Sequence, residues 1–219
     1  MRRWNSGFTL IEVAIVLVIL GLLVGGVLKG QELIAGARVH NLIAQQTGIK
    51  VAFFGFQDRY RALAGDYRFA TQNIPGAAGN GDGNGRIEAI GTPPENLLVW
   101  DHLSKAGLLN YGFSAAGAVS PSSATSPANA YGAFLDLAYD NAYADLAVPP
   151  SRHNLKTGNQ LPLELLAEVD RKIDDGNAAT GGFRGSAVFG AGGSGTCWNG
   201  SGRWLAGSRF PNCGGAELF

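Results

Sequence analysis

The chain opens with a short basic stretch and continues with a long apolar one. Residues 8–28 form a run of 21 residues in which Glu12 is the only charged side chain. As an α-helix the run would be about 30 Å long, which matches the hydrocarbon thickness of a membrane. Arg2 and Arg3 precede it and would stay in the cytoplasm, directing the rest of the chain outward. The pattern predicts one membrane-spanning helix.

The helical period continues beyond this run, but on one face only. Apolar side chains recur at alternating intervals of three and four residues, with a single polar interruption. This stripe consists of Val39, Leu42, Gln46, Ile49, Phe53, Phe56, Tyr60 and Leu63. We therefore predict one helix, with an apolar half at 8–28 and an amphipathic half at 29–63, that ends before Gly65. A two-helix hairpin or a coiled coil is the alternative, although nothing downstream supplies a matching heptad.

The remaining residues, 64–219, are expected to form one head that covers the stripe. The sequence Thr92-Pro93-Pro94-Glu95 is typical of a helix start with Thr92 as N-cap and Glu95 closing a capping box, and Pro162 opens a further helix. Alternating apolar and polar positions predict short strands at 133–138, 143–148, 182–189 and 203–205, the first two as a hairpin. The predicted class is α+β: a long N-terminal helix packed on a C-terminal head with a small antiparallel β-sheet.

Composition narrows the classes of partner. The chain has 17 basic side chains (lysine and arginine) and 17 acidic ones (aspartate and glutamate), so its formal charge is zero. There is no basic excess that would indicate a nucleic-acid partner. Glycine accounts for 33 of 219 residues, about twice the usual share. Since proline is ordinary, a loop-rich folded domain is expected rather than disorder.

The order of charge, small residue and apolar run differs from that of an ordinary secretory signal. There the apolar region precedes the cleavage site and is removed, whereas here Gly7 precedes the apolar run. The sequence Gly7-Phe8-Thr9-Leu10-Ile11-Glu12 resembles the leader of type IV prepilins. The segments 60–66, 100–108 and 169–176 also resemble stretches in the heads of pilin-like proteins. The resemblance implies that a prepilin peptidase removes residues 1–7 by a cut between Gly7 and Phe8, and that the new Phe8 amine is N-methylated.

The resemblance also implies a function, a location and a role for Glu12. The chain would be a structural subunit of a type IV pilus or of a type II secretion pseudopilus, polymerising with itself and with other pilin-like subunits. It would lie in the bacterial inner membrane as a single-pass precursor, and then in a periplasmic or extracellular filament with the head outside the cytoplasm. A carboxylate within a bilayer is costly and usually has a partner. The Phe8 amine, of the same chain or of a neighbour, is the expected counter-charge of Glu12, and a carboxylate that merely snorkels to the interface is the alternative.

Two functions of other classes remain open. The first is a minor or tip subunit that acts as an adhesin or ligand-binding module and recognises a surface, a ligand or DNA. Trp198 and Trp204 in the C-terminal loop are the suggestive feature. The second is an exported enzyme held by a signal anchor.

Export favours a disulfide between Cys197 and Cys213 over two free thiols, and pilin-like proteins often close a C-terminal loop in this way.

A glycine-rich loop near residue 80 is a candidate Ca²⁺ site. Oxygen-bearing side chains alternate with glycines as in the first part of a calcium loop, but Gly91 occupies the position of the final glutamate of an EF-hand. Asp66 or Asp101 would then complete the shell, and a flexible turn is the alternative. The candidate ligands are Asn80, Asp82, Asn84, the carbonyl of Arg86, and Glu88.

A second acidic group contains Asp170, Asp174 and Asp175. These carboxylates are a candidate metal site, but caps, turns and pairing with Arg171 or Lys172 are the favoured interpretation.

Catalytic patterns are missing from the sequence. His40, His102 and His153 do not have metal-ligand spacing, and there is no Gly-x-Ser-x-Gly elbow and no phosphate loop with Gly-Lys-Ser/Thr. We therefore predict no enzymatic activity.

Overall fold

The computed structural model describes residues 9–207 and 211–219. It begins with the long helix α1 (Leu10–Tyr60), the short α2 (Ala70–Asn73) and α3 (Glu95–Lys105). The elements that follow are β1 (Asp136–Asp140), β2 (Arg152–Lys156), α4 (Leu163–Ile173), β3 (Phe183–Ser186), one 3-10 turn at Val188–Gly190, and β4 (Gly214–Leu218). All strand pairs are antiparallel, in the order β1-β2-β4-β3. The predicted α+β, pilin-like architecture is confirmed.

Two compact units divide the chain, Met1–Arg38 and Val39–Phe219, and the division falls within α1. In the first unit, every side chain from Leu10 to Leu28 is exposed. Among the described helices, α1 alone is long and apolar enough to cross a membrane by length and composition, and its most apolar window has a mean hydropathy of 2.8. The apolar first half of the predicted helix is thus present, and its apolar side chains are exposed.

In the second unit, the predicted stripe of α1 faces the core. Val39, Leu42, Gln46, Ile49, Phe53 and Phe56 are all buried, and Tyr60 and Leu63 are half-buried. The amphipathic pattern therefore identified the packed face of the helix. The helix ends at Tyr60, three residues before the predicted end, where Arg61 takes a left-handed backbone with φ of 53°.

The sheet differs from the prediction in two places. Strand β1 pairs with β2, with Leu137 opposite Leu155, so the predicted hairpin of 133–138 with 143–148 is wrong. Residues 143–148 form a loop because aspartate side chains close local turns there: Asp140 accepts from the N–H of Ala142, and Asp145 accepts from the N–H of Ala147. Such side-chain bonds compete with a strand ladder.

The second difference concerns the C-terminus. Arg203 and Trp204 make isolated bridges, and residues 203–205 form no strand. The fourth strand is β4, which lies between β2 and β3. Strand β4 has no recognisable strand pattern in the sequence because it contains Gly214 and Gly215. Packing nevertheless requires glycine in this part of the sheet. A Cβ at Gly215 would lie 2.5 Å from the ring of Phe183, and one at Gly185 on β3 would lie 2.6 Å from the indole of Trp198.

Three apolar clusters form the core in the described part of this second unit, and two of them are large. One joins Val39 and Leu42 of α1 to α4 and to the C-terminal loop. The other joins Phe53 and Phe56 of α1 to α3 and to the inner face of β1 and β2, and Trp100 is fully buried in it. The C-terminal loop and the glycine-rich loop are both anchored against these clusters, which positions the groups described next.

Candidate functional site

Glu12 and Thr9 form a reciprocal hydrogen-bonded cap at the start of α1. The backbone N–H and the hydroxyl of Thr9 both donate to Oε2 of Glu12 at 2.8 Å, and the N–H of Glu12 donates to the Thr9 hydroxyl at 3.3 Å. A helix start leaves backbone N–H groups without helical partners, and a Thr-x-x-Glu pair satisfies two of them. The cap fixes the carboxylate at the first turn of the helix.

Sequence reasoning missed the part played by Thr9. It expected the Phe8 amine as the partner of Glu12, but Gly7 and Phe8 lie outside the described residues, so this pairing stays a prediction. The signal was present, since Thr9-Leu10-Ile11-Glu12 is a capping-box sequence directly before an apolar run. Among the described residues, Thr9 engages Oε2 alone, which leaves Oε1 for another donor.

The glycine-rich loop does not gather all the predicted Ca²⁺ ligands. Asn80 turns away, and its side-chain oxygen accepts from the N–H and hydroxyl of Thr71. Asp82, Asn84 and Glu88 are brought together, because the Asn84 amide donates at 2.9 Å to both carboxylates. The guanidinium of Arg86 lies over the ring of Tyr139.

Three carboxylates from separate segments meet beside this loop, those of Asp66, Asp82 and Glu95. One oxygen from each lies within 4.8 Å of the others. Asp66 accepts from the N–H groups of Asn84 and Gly85, while Glu95 accepts from those of Asp82 and Glu88. Hence Glu95 does not cap α3 as predicted from Thr92; the helix begins at Glu95 with Pro94 at the N-cap and no side-chain cap.

Burial is the main reason why the pKa values of Asp66 and Glu95 are raised, and for Glu95 the charges of Asp66 and Asp82 add to it. Three clustered carboxylates are the chemistry that Ca²⁺ prefers, so this group is where a cation would be held. The same oxygens accept backbone hydrogen bonds, which also stabilise the cluster without an ion. Asp101, the other residue expected to complete a shell, instead accepts from the N–H groups of Ala78 and Ala115.

The second acidic group is organised by local caps and turns. Asp174 accepts from the N–H groups of Gly182 and Phe183 at 2.6 and 2.7 Å, and Asp175 accepts from Asn177 and Thr180. These carboxylates therefore make caps and turns, as the favoured interpretation expected. The predicted ion pairs with Arg171 or Lys172 are absent among the described residues. Arg171 and Lys172 pair with Glu168 instead. Oxygens of Asp170, Asp174 and Asp175 also lie within 4.8 Å of one another, and a metal there stays a prediction.

Asp170 is fully buried and bridges two elements. It accepts from the indole N–H of Trp204 at 2.6 Å and from the N–H of Gly176 at 3.2 Å. The pKa of Asp170 is raised from 3.8 to about 6, mainly by burial, and the neighbouring charges of Asp175 and Asp174 act in the same direction.

The predicted disulfide is confirmed. Cys197 and Cys213 are bonded, with their Cα atoms 6.0 Å apart and both sulfurs in the core. Trp198 and Trp204 are 7% and 5% exposed and pack edge to face. Both indoles therefore pack into the core, although Trp204 also lines a cavity. The adhesin alternative, for which these residues were the suggestive feature, stays a prediction.

The histidines form no catalytic arrangement among the described residues. His102 is buried and uses both ring nitrogens: Nδ1 accepts from the N–H of Gly65 at 2.9 Å, and Nε2 bonds the carbonyl of Gly79 at 3.0 Å. Because Nδ1 accepts, Nε2 must carry the proton. This side chain joins the turn after α1 and the glycine-rich loop to α3. His40 is exposed, and His153 packs against Phe53 and Tyr139.

Comparison with known proteins identifies the N-terminal segment. Residues 5–28 match the family model of the prokaryotic N-terminal methylation motif. This motif is the prepilin signal of type IV pilins and pseudopilins, and the match confirms the resemblance seen in residues 7–12. It supports a precursor of the type IV pilin or pseudopilin kind, which implies processing by a prepilin peptidase, membrane anchoring and assembly with pilin subunits. No curated protein and no solved structure matches the chain.

Proposed function

We propose that this chain is a structural subunit of a type IV pilus or a type II secretion pseudopilus, assembled through its N-terminal helix. One observation carries the proposal: the methylation motif overlaps a helix whose side chains from Leu10 to Leu28 are all exposed. An apolar surface of this extent requires lipid or other protein around it. The membrane supplies the lipid before assembly, and a filament core of like helices supplies the surrounding protein afterwards.

The transfer from bilayer to filament exchanges lipid contacts for helix packing. Apolar burial drives little of this exchange, because lipid tails are as apolar as leucine, so close packing and polar contacts must favour the filament. Gly21, Gly25, Gly26 and Gly30 provide sites of close approach, since they have no side chain and nothing in the described part of the chain lies against them. Ordinary membrane-helix composition is the alternative explanation of these glycines.

Glu12 supplies the polar contact in this proposal. Its Oε2 is held by Thr9, and its Oε1 would accept from the methylated Phe8 amine of a neighbouring copy. An ion pair between an ammonium and a carboxylate in a low-dielectric core is strong and directional. It would set the stagger between adjacent subunits, with the heads outside the cytoplasm. The head has no proposed enzymatic role.

The test is co-expression with a prepilin peptidase, followed by mass spectrometry of the N-terminus and electron microscopy of sheared material. We expect a methylated Phe8 terminus and filaments. Gly7→Leu should leave the precursor uncut, whereas Glu12→Ala should be cut but not assembled. Glu32→Ala is the matched control, since Glu32 is an exposed glutamate of α1 paired with Lys29, and it should assemble normally. An uncut Met1, or a cut beyond Leu28, would favour the signal-anchored alternative and exclude the proposal.

A further inference from the structure

An open cavity of about 510 Å³ lies between the end of α4 and the disulfide-bonded loop. Its volume falls within the range of roughly 300–1,000 Å³ that is typical of ligand pockets. Six residues define its chemistry: Ala167, Arg171, Asn199, Arg203, Trp204 and Leu205. All of them belong to the second unit, so the cavity is a property of the head alone.

The polar side chains around the cavity offer hydrogen-bond donors. Within the described part of the chain, the guanidinium of Arg203 makes no hydrogen bond or ion pair. Arg171 donates through Nε to Ala167 and through Nη2 to Glu168, which leaves Nη1. The Oδ1 of Asn199 already accepts from Ser201 and from the N–H of Arg203, so its amide NH₂ is the remaining polar group.

The nearby carboxylates are outside the described lining of the cavity, although Glu168 pairs with the cavity residue Arg171. Glu168 pairs with Arg171 and Lys172, and Asp170 lies beneath the indole of Trp204. Asp174 and Asp175 accept from backbone and hydroxyl groups of residues 177–183. No acidic side chain is among the described residues that line the cavity. Its polar side chains thus complement a ligand group that only accepts hydrogen bonds.

One wall of the cavity is apolar and rigid. Trp204 is held by its bond to Asp170, by edge-to-face packing on Trp198 with ring centroids 6.0 Å apart, and by the nearby disulfide. Because Trp204 is only 5% exposed, it presents an edge alone, and Leu205 and Ala167 supply the rest of the wall. A fixed aromatic edge beside aliphatic groups accommodates the C–H face of a sugar ring at little entropic cost.

We propose that this cavity binds an acidic saccharide, with the carboxylate on Arg203 and Arg171 and the ring against Trp204 and Leu205. A guanidinium matches the two oxygens of a carboxylate with parallel hydrogen bonds. A neutral sugar lacks that group, and a bare anion leaves the apolar wall uncovered. This site is independent of the helix, so it does not depend on the filament role proposed above.

The test is calorimetric titration of the full chain in detergent micelles with a short oligogalacturonide. Its methyl ester has the same rings without the charge and is the matched ligand control, and inorganic sulfate is the bare-anion control. We expect the methyl ester to bind at least about 10-fold more weakly than the acid. Arg203→Gln should weaken binding of the acid by a similar factor, and Arg203→Lys less, since it keeps the charge but loses the planar fork. Arg152→Gln, an exposed arginine outside the cavity, should change nothing.

The inference would be overturned by no binding of the acid, by equal binding of acid and ester, or by unchanged affinity in Arg203→Gln. Competition by sulfate at the same concentration as the oligogalacturonide would show that the anion alone is recognised, and would exclude the saccharide. Circular dichroism checks the fold of each variant. If Arg203→Gln perturbs the fold, Arg171→Gln at an exposed helix position provides the same comparison.

Discussion

The indole N–H of Trp204 donates to the buried carboxylate of Asp170 at 2.6 Å. This bond joins the disulfide-bonded loop to α4 across the first core cluster. Because Asp170 is excluded from water, its ionised form depends on this donor and on the N–H of Gly176. The C-terminal loop is therefore held by a covalent bond and by a polar bond, and the two can be tested separately.

Asp170 should make the head less stable as the pH rises. Its pKa in the folded state is about 6, above the ordinary 3.8, so its contribution is fully present below the unfolded pKa and is lost as pH rises through the folded pKa. Asp170→Asn keeps an acceptor for Trp204 but does not titrate. Between about pH 4 and about pH 7, the wild type should lose on the order of 2 kcal/mol of unfolding free energy relative to Asp170→Asn. Denaturant titrations followed by tryptophan fluorescence measure this difference, and a pH-independent difference would contradict it.

His102 should act in the opposite direction. Burial lowers the pKa of this imidazole, so its contribution is present above the unfolded pKa and is lost as pH falls through the folded value. Protonation would also place a proton on Nδ1, which accepts from Gly65. We expect the wild type to lose stability in acid relative to His102→Gln, measured in the same titrations. His40→Gln is the matched control at an exposed histidine of α1.

The disulfide should contribute about 3 kcal/mol to the stability of the head, because a bond between residues 16 positions apart restricts the unfolded chain. Replacing Cys197 and Cys213 together by serine should lower the unfolding free energy by that amount. Wild type measured in a reducing agent serves as the control and should match the double variant. A double variant as stable as the oxidised wild type would show that core packing alone holds the loop.

Local patterns predicted much of this fold, and tertiary packing determined the rest. The period of α1 identified its buried stripe because one helix carries that signal within itself. Strand β4 escaped notice because Gly214 and Gly215 are selected by what lies against them, which no local pattern encodes. Glu95 likewise has the local sequence of a capping residue, yet it binds N–H groups of a loop that only the fold brings near.

Calcium, if bound by the Asp66, Asp82 and Glu95 group, should raise the melting temperature of the protein relative to a chelator, because a ligand that binds only the folded state stabilises it. Asp82→Asn removes one carboxylate from an exposed position and should abolish the increase. Asp58→Asn, at an exposed acid paired with Arg61, is the control and should retain it. Differential scanning calorimetry provides the measurement, and equal melting with calcium and with chelator would exclude a calcium site.

Glu12 has two roles, as part of the helix cap and as the proposed counter-charge of a neighbour's amine. Substitutions at Thr9 and at Glu12 can separate them. As a cap, the carboxylate needs Thr9; as a counter-charge, it needs only its own negative charge. Thr9→Ala should cost the helix start about 1 kcal/mol but keep the charge, so sheared filaments should form at close to wild-type yield. Glu12→Gln can still accept hydrogen bonds from Thr9, but it has no charge for a neighbour's amine and should abolish filaments while leaving cleavage after Gly7 intact. If Thr9→Ala loses filaments as completely as Glu12→Gln, the cap itself is what assembly requires, and the proposed ion pair between subunits would no longer be needed to explain the role of Glu12.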